Sequence, residues 1–336
     1  MDNPLPRQIG RQIRRHRALR RKLAVLAVCA VLAIPAGLAL AQRSDAGGAP
    51  FTVTETGQGF ARLQEAVNAI GAGQGTIRIA SGSYHECAVQ TAGSIGYTAA
   101  EPGKTVLAGT SCEGKAGLVL RGETAKIDGL IFEHFAVPDG NGAGIRLEKG
   151  DLTVRQSWFR DSEEGILTGD DPAHTITIDQ STFTHLGRCD RGLSCAHSVY
   201  TGDYGMLTVT RSRFEAGRGG HYVKSRAGRV AISDSSFDDS KGHVTNYMID
   251  LPAGATGTIR GNWFVQGQDK ENYSCFIAVA AEGHQHSADG LAISGNDARF
   301  ALGVSRESVF VADWVGDRLA IGDNGLGRGL SKFERR

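Results

Sequence analysis

The segments DGNGAGIR (139–146), HSVYTG (197–202), GHYVKSRA (220–227), NYMIDLP (246–252) and AEG (281–283) carry side chains with the chemistry to act on an acidic sugar. Eliminative cleavage of a uronate needs a cation on the carboxylate, a base for the adjacent C–H and an acid for the departing oxygen. Lys224 is the candidate base, Tyr200 the candidate acid with His197 as the alternative, and Arg226 and Arg146 are candidate neutralising cations. Asp250 and Glu282 complete the set as substrate-binding carboxylates. Glycoside hydrolysis needs instead two carboxylates at a suitable separation, and Asp203, Asp250 and Glu282 offer them on the same general face. A plainer reading pairs Lys224 with Asp250 as a surface salt bridge worth about 0–1 kcal/mol.

Other constellations point less sharply. Asp170-Asp171 and Asp238-Asp239 are loop acids that could hold calcium, although no EF-hand spacing surrounds them, and the reading taken is that no cofactor is needed. His284 and His286 form an H-x-H in a loop. His197 and His221 precede equivalent apolar segments, and strict alternation would stack both inside the molecule. No C-x-x-C or H-x-x-H pairing supports zinc. No nucleophile elbow or phosphate loop is present.

The elements that would carry these residues come from a repeat. LTVRQSWF (152–159), ITIDQSTF (176–183), LTVTRSRF (207–214), VAISDSSF (230–237) and GTIRGNWF (257–264) share one pattern, preceded by KIDGLIF (126–132) and fading at LAISGNDA (291–298). Phe132, Phe159, Phe183, Phe214, Phe237 and Phe264 recur at intervals of 27, 24, 31, 23 and 27 residues. Period-2 alternation with β-branched residues excludes a helical solenoid and predicts coils of a parallel β-helix stacked at roughly 4.8 Å. The Phe residues then form an inner ladder, and Ser157, Ser181, Ser212, Ser235, Asn262 and Asn296 a second ladder at a bend, where their side chains satisfy backbone groups that the turn leaves unpaired. A second strand per coil places Ile145, Ile166, Val199, Val223, Ile249 and Ile277 inward. Arg146, Leu167, Tyr200, Lys224, Asp250 and Ala278 then share one outward column. A slip of one residue would exchange the faces.

The ends and the compartment follow from composition. GFARLQEAVNAIG (59–71) has apolar residues at helical spacing and reads as a short capping helix before strand TIRIASGSY (76–84). Eight of the 37 Lys and Arg residues lie in the first 22 positions, followed by the apolar run Leu23–Leu40 and the sequence Ala39-Leu40-Ala41. That is the pattern of a signal peptide cut after Ala41, with an uncleaved anchor as the competing reading. The expected organisation is therefore a leader at 1–41, cap and first coil at 42–102, β-helix at 103–325, and a loosely ordered polar tail at 326–336. Without its basic leader the chain is mildly acidic, which argues against a nucleic-acid partner. No second long apolar run predicts another membrane span. An exported chain favours disulfides. Cys189 with Cys195, in the loop RCDRGLSC, is the first expected pair and Cys87 with Cys112 the second, leaving Cys275 odd.

The segment FTVTETGQGFARLQEAVNAIGAGQGTIRIASGSYHE resembles the N-terminal cap of the pectin-lyase-like superfamily, and the coils from about 103 to 325 resemble its right-handed parallel β-helix repeats. The site-bearing segments also resemble a bacterial right-handed β-helix repeat group to which no mechanism is attached. YVKSRAGRVAISDSSFDDSKG is similar to the Lys-Ser segment of β-helix alginate lyases. That resemblance implies Lys224 as base, but Asp250 stands where that family has an arginine. The superfamily hosts lyases, hydrolases, esterases and non-catalytic spikes, so it implies the fold more than the reaction. The resulting expectation is an all-β, secreted or periplasmic monomer acting on a polysaccharide or oligosaccharide, lyase-like toward acidic glycans. The alternatives are a non-catalytic carbohydrate-binding or envelope-associated β-helix and a glycoside hydrolase.

Overall fold

Each repeat contributes one strand to each of three sheets, so the chain winds as an all-β, right-handed parallel β-helix of about nine turns. The computed structural model describes residues 48–336; the leader, with Cys29 and the cleavage expected after Ala41, lies outside them. Sheet A has twelve strands and sheets B and C ten each. In one coil, Arg229–Ser233 lies in sheet A, Ser236–Asp238 in sheet B and Ile249–Leu251 in sheet C. Apart from the antiparallel start, where Phe51–Val53 pairs with Gln58–Phe60 and with Gln74–Ile79, the named strand pairings are parallel.

Helix α1 (Leu63–Ile70) covers the N-terminal end of the stack and buries Leu63, Ala66 and Val67. Glu65 Oε2 accepts a hydrogen bond from the Arg62 N–H at 3.3 Å, satisfying one free donor of the first turn. The segment read as one strand after it divides into Gln74–Ile79 in sheet A and Gly82–Tyr84 in sheet B. Among the described residues no helix is long and apolar enough to cross a membrane.

The phenylalanine ladder is continuous. Rings of Phe132, Phe159, Phe183, Phe214, Phe237 and Phe264 stack at centroid separations of 4.7–4.9 Å, and all six are fully buried. Each buried ring contributes about 1.5–3 kcal/mol by leaving water, and offset ring pairs about 0.5–1.5 kcal/mol more. The bend between sheets A and B explains the Ser/Asn ladder. Gln156, Gln180, Arg211 and Asp234 hold φ of 47–53° there, with Gly261 and Gly295 in the same place higher in the stack. The turn leaves the next residue's N–H without a strand partner, and the side chain one coil on accepts it: Ser157 to Ser181, Ser181 to Ser212, Ser212 to Ser235, Ser235 to Asn262 and Asn262 to Asn296, at 3.0–3.3 Å.

Both expected disulfides form, Cys87–Cys112 and Cys189–Cys195, and Cys275 is a buried free thiol. The C-terminal segment departs from its expectation. Leu330–Arg335 is not a loosely ordered tail but a strand of sheet C, parallel to Ser308–Asp313, with Leu330 packed on the core. Its polar residues face water, which hides from composition the backbone ladder that orders them.

Candidate functional site

Sheet C positions the site. The register Ile145–Ile166–Val199–Val223–Ile249–Ile277 runs through the interior, and Arg146–Leu167–Tyr200–Lys224–Asp250–Ala278 forms the outward column, as alternation predicts. Two residues per strand start break that alternation. Tyr222 with Val223, and Met248 with Ile249, both belong to the core, so His221 and Tyr247 before them turn outward, and His197 precedes the equivalent buried pair Ser198 and Val199. His197 and His221 therefore stack on the outer face, at 5.0 Å between ring centroids, and not in the interior as alternation alone implied. Tyr247 continues the stack at 5.5 Å from His221.

These two columns floor a cavity of about 420 Å³. His197, Tyr200, His221, Lys224, Arg226 and Glu282 line it, with Asn246, Glu271 and the Ser194-Cys195 end of the disulfide hairpin at its edge. Arg226 Nε donates to Tyr200 Oη at 3.0 Å. Lys224 Nζ lies 2.5 Å from Glu282 Oε1 and 3.5 Å from Asp250 Oδ2, and Arg226 pairs with the other Glu282 oxygen. His221 Nε2 is 3.4 Å from the same Asp250 oxygen. The plain surface salt bridge is thus corrected: Lys224 is 8% exposed and Asp250 2%, because the neighbouring coils and the loop carrying Glu282 cover them.

Burial dominates the electrostatics. It pushes the Asp250 carboxyl up to about 7; Lys224 opposes the rise and Glu282 adds to it. Burial, with the Lys224 charge, drops His197 to about 3, and His197 Nδ1 accepts the His221 N–H at 2.9 Å, which leaves its proton on Nε2. Burial likewise holds His221 well below the usual imidazole value, helped by His197 and the Lys224 charge. Glu282 feels the same burial, but its bonds to Lys224 and Arg226 outweigh it and its carboxyl sits below the ordinary range. Asp250 Oδ1 and His221 Nδ1 are buried without a hydrogen-bond partner.

Six of the seven residues singled out from sequence converge: His197, Tyr200, Lys224, Arg226, Asp250 and Glu282. Arg146 does not. It stands two coils from Tyr200 in the column, and its Nε faces Glu148 at 3.9 Å. Of the hydrolase set, Asp203 is held by His286 at 3.0 Å and Gln285 at 2.8 Å. His284 turns to Asp317, so the H-x-H motif splits between two carboxylates. Asp170 and Asp171 accept backbone N–H groups of Asp203 and Gly150. Asp239 is fully buried against Lys270, Tyr222 and Thr245. Among the described residues, the one close grouping of three ligand-type side chains is Cys189, Cys195 and Glu271, and those sulfurs are tied in the disulfide.

Sequence reasoning gave His221 only a structural role and missed Tyr247. A signal for both exists: His197-x-x-Tyr200, His221-x-x-Lys224 and Tyr247-x-x-Asp250 repeat one spacing on successive coils. Glu164, three residues before Leu167, has the same offset; it is buried, its Oε2 has no partner, and burial raises its carboxyl well above the usual range.

No protein-family model and no curated protein matches the chain. Among solved structures, the chain is similar to ORF18 of Geobacillus virus E2, at 16% identity and a TM-score of 0.50 over 81% of this chain. It spans 57% of that chain. It is also similar to the PL6 family alginate lyase AlyGC, at 13% identity and a TM-score of 0.43, over 75% of this chain and 36% of that one. At such identity the likeness to ORF18 is one of fold, and it agrees with the stacked sheets: the chain is a parallel β-helix.

Proposed function

We propose that this is an exported β-helix protein that binds an acidic glycan across the outer face of sheet C and cleaves it by β-elimination at Lys224 and Tyr200. The carrying observation is the buried Lys224 ammonium set between Tyr200 and Asp250 in one column, with Arg226 hydrogen-bonded to the Tyr200 phenol. Two disulfides and the leader sequence support export. In this reading Arg226 and the Lys224 ammonium draw the uronate carboxylate in, and Arg226 keeps it once Lys224 has given up its proton. Asp250 in its carboxylate form, 3.5 Å from Nζ, accepts one proton from Lys224 and leaves the free amine as the base. The amine then removes the proton beside the carboxylate. The new double bond forms as the β oxygen leaves, and that oxygen takes the phenolic proton of Tyr200. Because Arg226 Nε donates into a Tyr200 lone pair, the O–H remains free to donate and the phenolate formed is stabilised. His197 lies edge-on to the Tyr200 ring at 5.3 Å, and its lowered basicity favours Tyr200 over it as the acid in this reading.

A second reading rests on one specific feature. Asp250 and Glu282 are carboxyls one ammonium apart whose environments push their proton affinities in opposite directions, the arrangement of a glycoside hydrolase pair. Incubation with alginate, pectate and other uronates separates the cases. Ultraviolet-absorbing unsaturated product that vanishes in Lys224→Ala supports elimination. Reducing ends without that absorbance support hydrolysis. Saturable binding without turnover supports a carbohydrate-binding protein, and full activity in Lys224→Ala sinks the site assignment.

A further inference from the structure

The two cations assigned above to a substrate carboxylate already hold a carboxylate of the protein. Glu282 places one oxygen 2.5 Å from Lys224 Nζ and the other on Arg226, which is how a sugar carboxylate would bridge the same pair. Three observations mark Glu282 as a displaceable occupant. Its side chain is 43% exposed, against 10% for Lys224 and 28% for Arg226, so the contact opens to solvent from the glutamate side. Each cation has another partner that keeps it in place: Asp250 for Lys224 and the Tyr200 phenol for Arg226. The cavity that Glu282 reaches into also has a buried ring nitrogen, His221 Nδ1, without a hydrogen-bond partner, and behind Lys224 and His221 lies Asp250, whose Oδ1 is likewise buried and unpartnered. Groups of that kind normally find a hydrogen-bond partner, and a sugar hydroxyl or an ordered water can provide one.

The backbone at this position is tied down. The Glu282 N–H donates to Pro252 O at 3.0 Å, and four residues on the His286 N–H donates to Ala253 O at 2.9 Å. Displacement therefore requires only rotation of the Glu282 side chain, which crosses low barriers, and not movement of the loop.

We propose that Glu282 is a resident surrogate for the substrate carboxylate: it occupies the Lys224–Arg226 clamp in the free protein, and an acidic glycan must expel it to bind. This rests on the acidic-glycan reading of the site and adds a competitor within it. The consequence runs against the usual expectation for a charged residue lining a site, since removing Glu282 should strengthen ligand binding. The ion pairs lost are partly solvated, so the gain is modest, roughly tenfold in Kd.

The test is calorimetric titration of the full protein with a saturated hexauronate and with a neutral hexasaccharide of equal length. Wild type, Glu282→Gln, Glu282→Ala and Arg226→Ala are compared, with thermal unfolding of each as a folding check. Tighter hexauronate binding by both Glu282 variants, by roughly tenfold, with the neutral sugar unaffected, is the expected result. Equal or weaker binding by Glu282→Gln, with Arg226→Ala abolishing binding, overturns the surrogate and leaves the site reading standing. Binding indifferent to Arg226→Ala, or absent from wild type and both Glu282 variants alike, overturns the site reading and this inference with it.

Discussion

Asp250→Asn should make the protein more stable, and only above acidic pH. The folded state holds this carboxyl protonated up to about pH 7, whereas an unperturbed aspartate ionises near 3.8. Below about pH 4 the group is neutral in both states and contributes nothing to the difference. Between those values the unfolded chain has released a proton that the folded chain keeps, so wild-type stability falls as pH rises and then levels off above pH 7. Each pH unit in that window corresponds to about 1.4 kcal/mol, giving a total on the order of 4 kcal/mol. At 2% exposure there is little solvent screening to reduce it. Asparagine has nearly the same shape and cannot ionise. The difference between variant and wild type should therefore start near zero at pH 4 and climb to its plateau by pH 7–8. Urea denaturation followed by circular dichroism at fixed pH values measures the difference directly. A gap that is flat from pH 5 to 8, or a variant that grows less stable as pH rises, refutes the reasoning. If Asp250 also takes the proton from Lys224, the same variant loses eliminase activity while it gains stability.

Four further outcomes can be measured. Phe214→Ala, which removes a fully buried ring between Phe183 at 4.7 Å and Phe237 at 4.9 Å, should cost about 3–5 kcal/mol in chemical denaturation. Ser212→Ala strands the buried Ser181 N–H and should cost roughly 1–3 kcal/mol with faster exchange of that amide, whereas Ser235→Asn should be nearly neutral because Asn262 and Asn296 fill the same place on the next coils. Replacing Cys87–Cys112, which closes 25 residues, should cost about 3.5 kcal/mol; replacing Cys189–Cys195, which closes 6, should cost about 2 kcal/mol but also weaken ligand binding, since that hairpin walls the cavity. The Cys275 thiol, whose ionisation burial suppresses, should resist thiol reagents in the native protein and react only on unfolding.

Much of the fold is legible in sequence because a β-helix repeats short-range information. Alternation over five residues decides which side chains face inward, and recurrence of Phe and Ser/Asn decides how coils align; both ladders and the Tyr200–Lys224–Asp250 column follow from that alone. Cysteine context was likewise enough to pair Cys87 with Cys112 and Cys189 with Cys195. Other features needed the assembled chain. The outward turn of His221 depends on two consecutive core residues, Tyr222 and Val223, at the strand start, a local break that a period-2 pattern cannot announce, and His197 stacks on it from the coil before. The strand Leu330–Arg335 is ordered by pairing with Ser308–Asp313, although its own side chains are polar and exposed. Above all, the site's charge state is tertiary. Glu282 meets Lys224 across 58 positions of sequence and Arg226 across 56, and only the stacking of coils buries Asp250 deeply enough to raise its proton affinity. Residue types and register come from neighbours along the chain, whereas desolvation and long-range ion pairing are properties of the packed stack; the first were written in the sequence, and the second arose when the coils closed over one another.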